Sequence, residues 1–271
     1  AMTKHFHFIG IGGIGMSAIA LILKSRGYSV SGSDQSNSSQ LKVLNEKGIL
    51  IFKQQTAENI KAISKENSLT PIVIKSTAIP STNPELIAAK QAELEILHRS
   101  DILAQLIEQE KAIAVAGSHG KTTTSTILTT LLACANQDPT AIIGGVIPYF
   151  NSNSHPGTGG LLVAEADESD GSLVKFKPKI GLITNLELDH TDHYENLQEL
   201  ISTFKIFANG CEKVIANNDC QNLKENLDPD IWWSIKTKKD VHFSALPIAM
   251  DGSQTIADFF EDGQFIDQIK V

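Results

Sequence analysis

Twice in 271 residues the chain runs an apolar strand into a glycine turn and straight on into a helix. The first instance is HFHFIGIGGIGMSAIALILKSRG, residues 5–27, and the second is AIAVAGSHGKTTTSTILTTLLAC, residues 112–134. This junction restricts the fold sharply. Glycines let backbone amides crowd around an anion while the positive end of the helix dipole faces it. Both junctions sit in series of alternating strand and helix patterns, which predicts parallel sheets in an α/β architecture.

In the first series, strands are expected at HFHFIG, YSVSGSD, ILIF, PIVIKST and LEILHRS. Helices fall between them, one ending at Gly27, one running through Leu44 and one capped by Asn83 with Pro84 at its first position. A further helix covers Asp101 to about Gln109. The charged stretch EQEK, Glu108–Lys111, then separates two domains, residues 2–108 and 109–271. In the second, AIIGG, GLLVAEAD and KIGLITN are apolar on both faces and read as buried parallel strands. Residues 151–160, rich in Ser, Asn and Gly, read as a long mobile loop. A helix is expected over about Asn196–Asn209, and Asp262-Gly263 marks a two-residue hairpin. The predicted fold is a Rossmann-like N-terminal domain followed by a P-loop-type α/β domain that binds ATP.

Gly10-Ile11-Gly12-Gly13-Ile14-Gly15 fits G-x-G-x-x-G, and Asp34 ends the second strand where a dinucleotide-binding fold places its ribose acid. By itself the motif points to a diphosphate nucleotide, NAD and FAD included, without saying which. The second loop departs from the usual G-x-x-x-x-G-K-[ST], because two residues rather than four separate Gly117 from Gly120. Its chemistry is still that of a phosphate cradle. Lys121 in the first helical turn can meet the β- and γ-phosphates, and the Thr122 hydroxyl can ligate Mg²⁺. Two phosphate cradles in one chain point away from a dehydrogenase, which needs one.

LLVAEADESD ends a strand in Glu165, Asp167, Glu168 and Asp170. Glu165 directly follows the apolar run, where a Mg²⁺ ligand beside a P-loop belongs. TNLELDHTDHY offers His190 and His193 with Asp189 and Asp192. Zinc would need a third nearby ligand, and a divalent ion shared by His190 and a carboxylate suits the spacing better. Composition adds exclusions. A net charge of −8 argues against a general nucleic-acid surface, and no apolar run reaches membrane-spanning length. Cys134, Cys211 and Cys220 lack disulfide-framework spacing and suit a reducing, cytoplasmic setting.

Taken together, HFHFIGIGGIGMSAIA, VSGSD, STAIPSTNPE, RSDILAQL, GSHGKTTT, VAEADESDGS and TNLELDHTDHY resemble the Mur ligase family, in particular its alanine-adding branch. The resemblance covers nearly the whole chain in order, and it accounts for the short G-x-x-G-K-[ST] loop. It implies that ATP drives attachment of L-alanine to the lactyl carboxylate of UDP-N-acetylmuramate, through an acyl phosphate, in peptidoglycan precursor synthesis. It places UDP-sugar contacts on Gly12, Gly13, Ile14, Gly15, Met16, Ser17, Asp34, Ser76, Thr77, Ala78 and Arg99, with His119, Gly145, Asp167 and Ser169 on the muramoyl side. ATP falls to Gly117, Ser118, His119, Gly120, Lys121, Thr122 and Thr123, and Mg²⁺ to Thr122, Glu165 and His190. Lys121, Glu165 and His190 become the catalytic set, while Lys205 lies within reach of the position other members carbamylate. Partners would be the small-molecule substrates and a C-terminal domain of the same protein, which family members carry beyond this point, with no nucleic acid or membrane. The 271-residue chain is therefore expected to bind substrate without turning it over. The remaining alternatives are the family's tripeptide-recycling ligase, an NAD-dependent dehydrogenase and a non-enzymatic nucleotide-binding regulator.

Overall fold

The structure is a computed structural model that describes residues 4–66, 68–169, 171–188 and 195–271. The chain divides into two compact units, one of residues 1–110 with 128–163 and the other of residues 111–127 with 164–271.

The first unit opens with strand β1 (His5–Ile9) and helix α1 (Ile14–Ser25), then β2 (Ser29–Ser33), α2 (Ser39–Glu46) and β3 (Leu50–Phe52). It continues through α3 (Ala57–Glu66), β4 (Pro71–Lys75), α4 (Pro84–Gln91), β5 (Ile96–His98) and α5 (Arg99–Gln109). The five strands form a sheet of order β3-β2-β1-β4-β5, and every pairing in it is parallel. The chain moves outward from β1 to β3, then crosses back to β4 on the other side. The order therefore reverses between β1 and β4, and a ligand crevice forms at such a switch point, outside the carboxyl ends of the strands. Phe8, Ile19 and Ile22 are fully buried where α1 covers one face of the sheet, and α3 and α4 pack Ile60, Ile63, Leu86 and Ala89 against Ile9 and Val73 on the other.

The expected elements of this unit are present, with two differences. Helix α5 starts at Arg99 rather than Asp101, because His98 caps it and shares a capping box with Asp101. Helix α3 formed no part of the sequence expectation. Its apolar face is little more than Ile60 and Ile63, and burial of that face holds it in place. Asn83 caps α4 as expected, accepting from the amides of Glu85 and Leu86 at 3.0 and 3.1 Å, an arrangement worth about 1 kcal/mol.

The chain continues with β6 (Lys111–Ala116) and α6 (Lys121–Cys134), then β7 (Thr140–Ile147), β8 (Ser152–His155) and β9 (Leu161–Glu165). Residues 151–160 are the expected loop only in part. Ser152–His155 pairs antiparallel with β7, so the AIIGG strand belongs to a hairpin on that edge. Pairing supplies what the residues lack, since Ser, Asn and His carry little strand preference of their own. The hairpin packs against α1 within the first unit. There Arg26 donates to the Glu110 carboxylate at 2.8 Å, to Thr140 Oγ1 at 2.7 Å and to the Gly157 carbonyl at 3.2 Å.

The second unit adds β10 (Ile180–Ile183), α7 (Leu197–Gly210), β11 (Lys213–Asn217), α8 (Gln221–Asn226) and β12 (Ile231–Ser234). It closes with β13 (Phe243–Asp251), β14 (Gln254–Glu261) and β15 (Gln264–Lys270). Strands β6, β10, β11, β12 and β13 pair in parallel, and β13, β14 and β15 then continue as an antiparallel meander. Asp262 and Gly263 make the β14–β15 turn with φ of 50° and 78°, the positive pair that a two-residue hairpin requires. Among the described residues no helix is long and apolar enough to cross a membrane.

Candidate functional site

The first set of residues expected at the UDP-sugar lies just beyond the carboxyl ends of β1, β2, β4 and β5, on loops or in the first turn of the helix that follows. Gly12–Ser17 follow β1, Asp34 follows β2, Ser76–Ala78 follow β4, and Arg99 follows β5. The loop after β1 is held from behind. The amides of Gly10 and Ile11 donate to the Ser33 carbonyl at 2.8 and 3.0 Å. The amide of Gly12 donates to Asp34 Oδ2 at 2.7 Å, and Asp34 Oδ1 accepts from the amide and hydroxyl of Ser36. Asp34 thus shapes the turn. A Cβ on Gly12 would stand 2.7 Å from that same Asp34 oxygen, which is why the position is glycine. The first amides of α1 have no intrahelical acceptor and open toward the crevice as an anion cradle. The Met16 side chain is part of the core, 3% exposed, so only its backbone faces the loop.

Thr77 Oγ1 meets His98 Nε2 at 2.9 Å, while His98 Nδ1 meets Ser100 Oγ at 2.6 Å. His98 therefore ties the β4 loop to the first turn of α5. Sequence reasoning passed over it, although it directly precedes Arg99. The Arg99 guanidinium lies 3.5 Å from where a Cβ on Gly15 would stand, so its charge is already beside the loop. Gly145 lies within β7.

In the second unit, the loop after β6 is laced to the loop after its parallel neighbour β10. The His119 amide donates to Asn185 Oδ1 at 2.8 Å, and the His119 carbonyl accepts from Thr184 Oγ1 at 2.7 Å and Asn185 Nδ2 at 3.1 Å. Ser118 Oγ donates to the Glu187 carbonyl and accepts the Glu187 amide, both at 2.8 Å. Gly117 has a φ of +147°, and a Cβ there would fall 1.9 Å from Thr184 Oγ1. Only glycine serves at that position.

Lys121 Nζ donates to the Gly117 carbonyl at 2.7 Å and lies 3.3 Å from Glu168 Oε2. The ammonium is thereby folded back over the loop at the place a phosphate oxygen would approach. Glu168 is nearly buried, and that burial pushes its carboxyl up against the opposing pull of Lys121. It belonged to the sequence-level acidic cluster but not to the expected site. Thr122 Oγ1 donates to Glu165 Oε1 at 2.7 Å. A hydroxyl and a carboxylate converging beside a phosphate cradle are the hard oxygen donors that suit Mg²⁺. His190, the third expected metal ligand, lies outside the described residues, as do Asp170, Asp189, Asp192 and His193. Among the described residues no cluster of three His, Cys, Asp or Glu forms a metal site. The Ser169 amide closes a local turn on Asp167 Oδ1 at 3.0 Å. Lys205 lines a separate hollow with Asn209, Asp228 and Asp230.

The sequence matches the Mur ligase family catalytic domain over residues 5–111 and the Mur ligase middle domain over residues 115–269. It is 61% identical over 263 residues to a UDP-N-acetylmuramate–L-alanine ligase of Prochlorococcus marinus, covering 97% of this chain and 54% of the relative. The crystal structure of UDP-N-acetylmuramate–alanine ligase MurC from Thermotoga maritima superposes with a TM-score of 0.84 at 27% identity, covering 98% of this chain and 60% of that one. UDP-N-acetylmuramate:L-alanyl-γ-D-glutamyl-meso-diaminopimelate ligase from Neisseria meningitidis gives 0.83 at 25% identity, covering 99% and 87%. The chain spans about half the length of the curated relatives it matches.

Proposed function

Because the chain belongs to the Mur ligase family, we propose that it forms the UDP-sugar-binding and ATP-binding parts of a ligase that joins L-alanine to UDP-N-acetylmuramate. The observation that carries this reading is the short glycine loop, with Lys121 poised over it and Thr122 set against Glu165. Residues 2–108 hold the nucleotide sugar, and residues 109–271 hold the nucleoside triphosphate. The 61% identity to an alanine ligase favours that substrate over the tripeptide of the recycling enzyme.

In the proposed reaction the lactyl carboxylate attacks the γ-phosphorus of ATP, and ADP leaves. The alanine amine then attacks the acyl phosphate, the amide forms, and inorganic phosphate departs. Lys121 exchanges its Gly117 and Glu168 contacts for phosphate oxygens and neutralises charge where two anions meet. The Ser118 and His119 amides are spent on Asn185, so the Gly120 amide and the first amides of α6 meet the β-phosphate, in a frame that the β10 loop has already ordered. Thr122 and Glu165, joined by His190, would hold Mg²⁺, which when bound screens the phosphate charge. The α1 amides, Ser76–Ala78 and Arg99 hold the UDP-sugar diphosphate and fix its register.

Isothermal titration tests this. UDP-N-acetylmuramate and ADP should each bind the 271-residue chain with measurable heat, and Lys121→Ala should abolish only the second. Heat with NAD and none with the UDP-sugar would overturn the reading in favour of a dehydrogenase.

A further inference from the structure

Beneath the first glycine loop runs a buried polar chain that the proposed reaction does not use. His5 and His7 alternate along β1 with Phe6 and Phe8, so both imidazoles emerge on one side of the sheet. His5 is 3% exposed and His7 is fully buried. His5 Nδ1 meets Ser29 Oγ at 2.7 Å, and His5 Nε2 meets Ser31 Oγ at 2.8 Å. The same Ser31 Oγ lies 2.7 Å from His7 Nδ1, and His7 Nε2 lies 2.5 Å from Glu85 Oε1. Ser33 Oγ donates to the other Glu85 oxygen, Oε2, at 2.5 Å. Glu85 sits in the first turn of α4 with no exposed surface.

The chain ends at the glycine loop. The carbonyl of Ser33 accepts the amides of Gly10 and Ile11, and the next residue, Asp34, accepts that of Gly12. Three successive loop amides are thus set by two successive residues at the end of β2, and Glu85 grips the first of these.

Proton counting gives the chain a direction. Ser31 Oγ stands between two imidazoles with one proton to give, so it accepts from one ring and donates to the other. His7 Nδ1–H then donates to Ser31, Ser31 donates to His5 Nε2, and His5 Nδ1–H donates to Ser29. His5 is neutral in this arrangement, in keeping with burial that lowers its pKa to about 4.

We propose that Glu85 is a positioning residue for the nucleotide-sugar loop, acting through the Ser33 carbonyl that sets Gly10 and Ile11. The consequence for binding rests on the reading of this loop as the UDP-sugar cradle. In Glu85→Gln the amide can donate to His7 Nε2 while its oxygen accepts from Ser33, so the chain stays whole without an ionisable group. Glu85→Ala breaks it at both ends, and Ser33→Ala cuts only the link to the loop.

The test combines amide hydrogen exchange with titration of UDP and ADP on the 271-residue chain. Exchange at Gly10 and Ile11 should rise about tenfold in Glu85→Ala and in Ser33→Ala, and stay native in Glu85→Gln, because a lost buried partner loosens what it held. Exchange at Ser118 and His119 should not change. The Kd for UDP should rise about tenfold in Glu85→Ala and about threefold in Ser33→Ala, with the Kd for ADP unmoved. Native exchange in both alanine variants, or equal loss of UDP and ADP binding, would overturn the proposal. So would a Glu85→Gln variant as impaired as Glu85→Ala. If Glu85→Ala does not fold, Ser33→Ala decides. If the native chain binds no UDP, the cradle reading fails, while exchange at Gly10 and Ile11 still judges the positioning role.

Discussion

The Lys121 ammonium lies 3.3 Å from Oε2 of Glu168, inside the loop that would receive a triphosphate. A phosphate oxygen approaching Lys121 displaces this carboxylate and meets its charge on the way. Removing the charge while keeping the shape should therefore strengthen anion binding. Glu168→Gln should lower the Kd for ATP about threefold, whereas Lys121→Ala should raise it at least about tenfold, since contacts to a charged group are the strong ones. Titration with a fluorescent ATP analogue reads both. Weaker binding in Glu168→Gln would mean that the carboxylate orients Lys121 rather than competing for it.

At Gly117 two penalties coincide, a φ of +147° and a Cβ position 1.9 Å from Thr184 Oγ1. Gly117→Ala should cost about 2 kcal/mol or more in denaturant unfolding and abolish ADP binding. Adding Thr184→Ala removes the clash but not the backbone strain, so the double variant should regain part of the stability and not all of it. Additive losses would place the Cβ contact elsewhere.

His5 gives the fold an acid sensitivity. Its pKa falls from 6.5 to about 4 on burial, so the unfolded chain takes up a proton that the folded chain refuses between those values. Stability is then full above pH 6.5 and declines as pH drops toward 4, by up to about 3 kcal/mol from this group. Urea unfolding at pH 7 and pH 4.5 measures the decline, and His5→Asn should flatten it.

Thiol chemistry should separate Cys134 from Cys211. Cys134 is exposed, whereas burial pushes the Cys211 thiol from 9.0 up to about 12. At pH 8 the thiolate fraction of Cys211 is about a thousandfold below that of an ordinary cysteine. Iodoacetamide labelling followed by peptide mass analysis should modify Cys134 first and leave Cys211 unmodified until the chain unfolds.

Contacts close in sequence, or imposed by secondary-structure period, were readable from the residues. Both glycine junctions, the Asn83 cap and the Asp262-Gly263 turn follow from local chemistry, and each is present. Contacts across long separations were not readable. His7 and Glu85 meet across 78 positions, and nothing in the run PSTNPELIAAK distinguishes Glu85 from a solvated helix acid. Asn185 and Thr184 brace the second loop only because β6 and β10 are neighbours. Strand β8 went unread for a related reason. Its partner β7 makes it a strand, while Ser, Asn and His on their own favour a loop. Glu168 was visible among the acids after β9, but its pairing with Lys121 needed the folded loop.

Arg26 has a consequence for how the chain is made. Its guanidinium reaches Thr140 and Gly157, 114 and 131 residues further along, and the unit that it braces is interrupted by residues 111–127. A chain emerging from the ribosome can form the β1–β5 sheet early and pair Arg26 with Glu110, but the fork stays incomplete until Thr140 and then Gly157 appear. At about 5–20 residues per second, the delay after Glu110 lasts several seconds. Over that interval the back of α1 waits for its hairpin, and a nascent chain stalled before residue 140 should be cleaved by protease more readily than one stalled after residue 163.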